Sequence, residues 1–215
     1  EYDPQAKVVA YTLNNNLYFA NSESDKKAIT SFTDANIVAG KAIHRNEFGI
    51  NKGIFFSPKG NYVAFYQKDE SKVADYPLVD ITTTPATLKS IKYPMAGQPS
   101  EQAAVGIYDL QNQKVLYLDI DTTDEHFLTN LAWSPDERYI LLAEVNRAQN
   151  HFALNRYDAR TGKKVNTILG GRRRTLVLSV TISRLVICLL PFAVLFDMRN
   201  QFVYFMIMFI YGLSS

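Results

Sequence analysis

One phrase occurs twice in the chain, and its two copies constrain the fold more than any other feature. Ile54-Phe-Phe-Ser-Pro-Lys-Gly-Asn-Tyr-Val-Ala-Phe-Tyr66 and Leu131-Ala-Trp-Ser-Pro-Asp-Glu-Arg-Tyr-Ile-Leu-Leu-Ala143 match almost position for position. Each reads as strand, tight turn, strand. Proline presets φ at the second turn position, and the two residues after it close the loop. The opening, Asp3-Pro-Gln-Ala-Lys-Val-Val-Ala-Tyr11, reads as the second half of a third copy. A turn phrase that returns at intervals of tens of residues marks a repeat fold, in which each unit buries its faces only by stacking on its neighbours.

The segments between the copies are hairpins as well. Residues 7–20 hold two apolar runs around Asn14, Asn15 and Asn16, and asparagine tolerates the left-handed backbone that a two-residue hairpin requires. Val105–Leu118 and Phe152–Leu169 read as two more hairpins, turning at Gln111-Asn-Gln-Lys114 and Ala159-Arg-Thr-Gly162. Tyrosine and phenylalanine, at 13 each, supply the residue types that suit a pleated, half-buried surface. The fold class is therefore all-β, a partial β-propeller of about three blades over residues 1–169, short of the roughly four to eight that close a ring. The longest stretch without strand rhythm, Tyr76–Ser100 with Pro77, Pro85, Pro94 and Pro99, reads as an irregular excursion over the surface.

After Leu169 the character changes. Residues 170–215 contain five arginines and one acid, so the net charge of +2 hides a mildly acidic body and a basic tail. That body gives no electrostatic case for a nucleic-acid partner. Gly170-Gly-Arg-Arg-Arg174 precedes an apolar run at 176–196 and a shorter one at 202–213. Three readings stand side by side. As a membrane segment through 175–196, the tail has the length and the positive flank, but Arg184 at mid-span costs about 2.5–3.5 kcal/mol on the insertion scale. As the product of a shifted reading frame, the codons of Phe205–Gly212, read two nucleotides on, permit the propeller-like Tyr-Asp-His-Val-Tyr-Leu-Trp among other peptides. As a buried structural segment, it packs against the body.

Chemistry-bearing motifs are few. Cys188 stands alone, no zinc or redox spacing exists, and neither a metal nor a cofactor is expected. No Gly-x-Ser-x-Gly nucleophile elbow occurs, so no catalytic residue is assigned. His44, His126 and His151 read as satisfied or surface histidines. Asp69 and Glu70 beside Ser71 read as a solvated strand end rather than a catalytic carboxylate pair. Asn146, Arg147 and Asn150 read as structural, with Arg147 as the partner of a carboxylate.

One collinear set of phrases goes further. Ala42-Ile-His-Arg-Asn-Glu-Phe-Gly-Ile50, Tyr93-Pro-Met-Ala-Gly-Gln-Pro-Ser100, Phe127-Leu-Thr-Asn-Leu-Ala-Trp-Ser-Pro-Asp136 and Ala143-Glu-Val-Asn-Arg-Ala-Gln-Asn150 resemble, in order, the N-terminal propeller of the dipeptidyl peptidase IV family of serine exopeptidases. Within the family they are most similar to the prolyl tripeptidyl aminopeptidases. The resemblance covers nearly everything from Tyr11 to Leu169. It implies an eight-bladed propeller capping an α/β-hydrolase domain that supplies the Ser, Asp and His triad, a peptide substrate, a periplasmic or secreted location, and a homodimeric parent. It also implies a Tyr-Val-Glu-Pro segment and a further blade after Leu169, and neither is present. The propeller of such an enzyme walls off the site and holds the free amino terminus of the peptide. That task needs a carboxylate, which receives charge-assisted hydrogen bonds from the α-ammonium. In His-x-x-Glu-Phe-Gly the residue so implied is Glu47. The rival reading is a non-enzymatic propeller that serves as a binding module, tethered to a membrane by its tail.

Overall fold

The computed structural model describes residues 1–22, 24–121 and 125–172. Every reading of the tail from residue 173 onward lies outside the described residues. Among the described residues no helix is long and apolar enough to cross a membrane.

Among the described residues, three antiparallel sheets of four or five strands follow one another along the chain, as a partial propeller requires. The first joins β1 (Tyr2–Asp3), β2 (Val8–Leu13), β3 (Asn16–Ala20) and β4 (Lys26–Ala28) in sequence order. Asn14 and Asn15, both at positive φ, make the two-residue turn between β2 and β3 that the asparagine run predicts. The third sheet is equally regular: β12 (His126–Trp133), β13 (Tyr139–Asn146), β14 (His151–Asp158) and β15 (Lys164–Arg172). β15 continues beyond Leu169, pairing Gly170, Gly171 and Arg172 with Ala153, Phe152 and His151.

The second sheet departs from this plan in two places. Its inner strand is split into β5 (Ile37–Ala39) and β6 (Ile54–Phe56), which pair with opposite ends of β7 (Tyr62–Asp69). Residues 40–53 leave the sheet between them. The outer strands are β10 (Gln102–Asp109) and β11 (Lys114–Tyr117), and between β7 and β10 a separate hairpin is inserted, β8 (Asp75–Asp80) with β9 (Thr87–Lys92). The stretch expected to be irregular is therefore largely a two-stranded ribbon. Pro77 lies inside β8, opposite Ser90. A proline removes one ladder donor, which a ribbon with both edges free tolerates where a central strand would not.

Strand alternation packs the blades. On β7, Val63 and Phe65 face the first sheet, where Val8, Ala10, Leu17 and Phe19 bury against them. Ala64 and Tyr66 face the other way, toward Leu128, Ile140, Leu142 and Tyr157 of the third. Side chains of period two thus put one apolar row on each face of the middle blade.

The repeated turns coincide in detail. The Ser57 N–H donates to the Tyr62 carbonyl (2.9 Å), and its Oγ accepts from the Tyr62 N–H (2.9 Å). Ser134 does the same with Tyr139, at 2.9 and 3.0 Å. Asp3 occupies the matching place in the first blade, paired with Val8, its carboxylate accepting from the Gln5 and Ala6 N–H groups. The turns also meet across blades: the Glu137 carboxylate accepts from the Lys59 N–H and from Asn61 Nδ2, both at 2.6 Å.

Candidate functional site

The loop that splits the inner strand of the middle blade holds Glu47. From His44 to Gly49 every residue but Glu47 has positive φ: His44 at 51°, Arg45 at 51°, Asn46 at 66°, Phe48 at 52° and Gly49 at 71°. Two tight turns result, closed by Asn46 N–H to the Ile43 carbonyl (3.2 Å) and Ile50 N–H to the Glu47 carbonyl (3.0 Å). Glu47, at φ −62° and ψ 159°, is the extended joint between them. Consecutive left-handed residues with side chains cost about 1 kcal/mol or more each. Such a run persists only where its surroundings over-determine it.

Those surroundings come from two blades. The His44 N–H donates to the Glu101 carboxylate, and Nε2 of the same residue accepts the Leu128 N–H at 3.3 Å. The imidazole is packed edge-on to Phe127 at 5.1 Å, and Phe48 lies 4.9 Å from the same ring. Thr129 Oγ1 donates to the Phe48 carbonyl at 3.1 Å. β12 bulges just past these groups, between Thr129 and Ala132, with Asn130 at positive φ.

Burial, reinforced by His126 and Lys68, pushes the His44 pKa down to about 3, so the ring is neutral. Its Nε2 is the acceptor, which leaves the proton on Nδ1, 3.7 Å from Glu101 Oε1. Glu101 is buried too. Desolvation raises its pKa against the opposing pull of the His44 N–H and Lys68, while the charge of Glu70 adds to the rise. Lys68 Nζ sits 2.8 Å from Glu70 and 3.7 Å from Glu101. Glu70 is therefore part of a partly buried ion network rather than a solvated strand end. Asp69 receives the Ser71 N–H at 2.8 Å.

A cavity of about 250 Å³ opens beside this loop. Glu47, Arg45 and His126 line it on one side, Arg147 and Glu125 on another, and Pro94, Met95 and Ala96 on a third. The exposed Glu47 carboxylate has no hydrogen bond or ion pair to any described residue. Arg147 has the carboxylate partner expected of it: it is ion-paired with Glu125 and donates to the Gln98 carbonyl at 2.8 Å. Asn146 and Asn150 close the β13–β14 turn through each other. His151 is exposed and outside the cavity lining, its N–H donating to Asn146 Oδ1 at 2.9 Å. Among the described residues no cluster of His, Cys, Asp or Glu fit to hold a metal is found. Glu101 and Glu125 were not marked by any motif, because each is placed by contacts across long sequence separations, with His44 and with Ser100 and Arg147, whereas Met95 lies inside the phrase Tyr93–Ser100.

Comparison with known proteins identifies the family. A family model described as the dipeptidyl peptidase IV (DPP IV) N-terminal region matches residues 1–187. The chain belongs to this family. Among curated relatives of the DPP IV region are the proteins named "Probable dipeptidyl-aminopeptidase B" of Phaeosphaeria nodorum, 29% identical over 185 residues, and of Colletotrichum graminicola, 28% identical over 189. These alignments cover 76% and 78% of the chain but 20% of each relative. Among solved structures, a Bacteroides ovatus protein assigned as a dipeptidyl aminopeptidase IV is 45% identical with a TM-score of 0.74, covering 81% of this chain and 24% of that one. Porphyromonas gingivalis dipeptidyl peptidase 4, 19% identical, shares the fold with a TM-score of 0.71, over 81% of this chain and 25% of its own. The chain thus spans about a fifth to a quarter of the proteins it matches.

Proposed function

We propose that this chain is the propeller part of a proline-specific serine exopeptidase, a di- or tripeptidyl peptidase, and that Glu47 holds the substrate's amino terminus. In this reading a hydrolase domain of the complete protein supplies the catalytic triad, and the enzyme works in the periplasm or outside the cell. The observation that carries the reading is the Glu47 carboxylate itself: unpartnered among described residues, presented into a cavity, on a backbone too strained to be incidental. A fixed carboxylate measures the substrate. With the α-ammonium anchored, the bond that reaches a distant nucleophile is set by the number of residues between them, which is how a propeller makes an exopeptidase of a hydrolase.

The test uses the complete protein. Glu47 is exposed in the free chain, and in this reading a bound peptide and the hydrolase domain exclude water from the pair it forms. Removing one partner of such a desolvated charge pair costs roughly 2–5 kcal/mol. Glu47→Gln is therefore expected to lower kcat/KM on peptides with a free amino terminus by about one and a half to three and a half orders of magnitude. N-acetylated peptides, which have no ammonium, should be poor substrates already and lose little more. Labelling of the catalytic serine by a small organophosphate should be preserved. Equal losses on free and acetylated peptides would assign Glu47 a purely structural role, and no loss on either would remove it from the site.

A further inference from the structure

The segment that follows the inserted hairpin is a strap tied at both ends and lining the cavity. At its start, the Arg45 guanidinium lies over the Tyr93 ring at 4.4 Å, tying it to the Glu47 loop. At its end, Arg147 donates to the Gln98 carbonyl (2.8 Å) and Glu125 accepts the Ser100 N–H (3.0 Å), tying it to the third blade. Between the ties, Gln98 N–H donates to the Met95 carbonyl at 3.0 Å. Gly97, at φ 76°, occupies the position of this turn that a side chain disfavours. The turn puts Met95 at its head, and Met95 stays 41% exposed while lining the same cavity as Glu47.

The charges on this side of the cavity are already engaged: Arg147 with Glu125, Arg45 with an aromatic face. What the strap offers between its ties is apolar, namely Pro94, Met95 and Ala96, with Ser100 lining the cavity only at its far end. The first side chain of a peptide branches from the carbon that bears its amine. If the amine is fixed on Glu47, that side chain must meet a wall of a cavity this small. Methionine, unbranched and polarisable, adapts to side chains of different shape.

We propose that Met95 is a specificity-determining residue, the wall against which the site reads the first side chain, so that the cavity takes peptides with a free amino terminus and an apolar first residue. This rests on the reading of Glu47 given above. The experiment is calorimetric peptide titration of the complete protein with Leu-Ala-Pro, Gly-Ala-Pro and Asp-Ala-Pro. The wild type is expected to bind the leucyl peptide about tenfold tighter than the glycyl one, the scale on which apolar pockets discriminate, and the aspartyl peptide no better than the glycyl one. Met95→Ala, on an exposed turn that its loss does not unpack, should bring the leucyl-to-glycyl ratio down to about one to three. Glu47→Gln should weaken leucyl and glycyl peptides by the same factor and preserve the ratio. An unchanged ratio in Met95→Ala, with Glu47→Gln weakening both peptides, overturns the role of Met95 and leaves that of Glu47 standing. Wild-type affinities that Glu47→Gln does not alter, or no binding by the wild type, overturn the reading beneath it.

Discussion

A buried imidazole that cannot take up a proton is a liability in acid, and His44 is such a group. In the folded chain it titrates near about 3, whereas an exposed histidine titrates at about 6.5. Between those values the unfolded chain binds a proton that the native chain refuses. Stability from this group is complete above about pH 6.5 and falls as pH drops toward 3, by up to about 1.4 kcal/mol per unit. Glu101 works in the opposite sense. Its raised pKa means that protonation relieves a native-state cost as pH falls, so only a comparison with a variant isolates His44. His44→Gln retains an acceptor for the Leu128 N–H and does not titrate. Urea midpoints at pH 7.0 and 5.0 should show the wild type losing up to about 2 kcal/mol more than the variant on acidification. Equal losses would mean that the ring is protonated in the native state. The residue scale also marks how much of the site was readable. Glu47 stood out through its phrase, His-x-x-Glu-Phe-Gly. The groups that give that phrase its geometry did not, because Glu101 lies 57 positions from His44 and Leu128 lies 84. Nothing local in a sequence distinguishes a glutamate that will meet a particular backbone N–H from one that will meet water.

At the scale of elements, the Ser-Pro turns show why repetition was the most legible feature. The serine both donates and accepts within its own turn, so its geometry is local and travels with the phrase. The links between turns are not local. Glu137 has no counterpart of its type in the middle copy, where Gly60 stands, yet its carboxylate joins the two blades through Lys59 and Asn61. Burial pushes its pKa up, but hydrogen bonds from Ser57, Asn61 and Lys59 outweigh that and hold the pKa below the usual glutamate range. Its contribution is therefore present above the unfolded pKa of about 4.3 and disappears as pH falls through the folded value. Glu137→Ala should cost roughly 2–3 kcal/mol at pH 7, because it leaves the Lys59 N–H unanswered, and the difference from wild type should shrink toward pH 3. A change within ±0.5 kcal/mol at pH 7 would show that water replaces the carboxylate freely. The β8–β9 ribbon escaped notice for a related reason. Four prolines in one stretch argue against a strand in a sheet, but a ribbon with two free edges has room for Pro77.

At the scale of the molecule, the three blades among the described residues leave apolar groups bare: Val9 and Leu13 of the first blade are exposed, and so are Val79, Ile81 and Leu88 of the inserted hairpin. An open propeller of this kind presents unpaired strand edges and apolar faces, which favour association. The third blade ends on β15, whose last three residues pair with the start of β14. The position of a truncation therefore matters. A chain ending at Arg172 keeps every described pair of this ladder, while one ending at Leu169 loses the pairs to His151, Phe152 and Ala153. With about 0.5–1.5 kcal/mol for each net backbone hydrogen bond, and the edge partly wetted, the shorter chain should be less stable by roughly 1–2 kcal/mol in urea. Removal of residues 173–215 takes away the apolar runs at 176–196 and 202–213, so the 1–172 chain should give more soluble protein than the whole. It should still melt at modest temperature and associate as its concentration rises, because its blade faces remain uncovered. Sedimentation and scanning calorimetry decide this. A 1–172 chain that stays monomeric at high concentration and melts cooperatively at high temperature would show that three blades suffice, and the reading that places further blades beside them would fall.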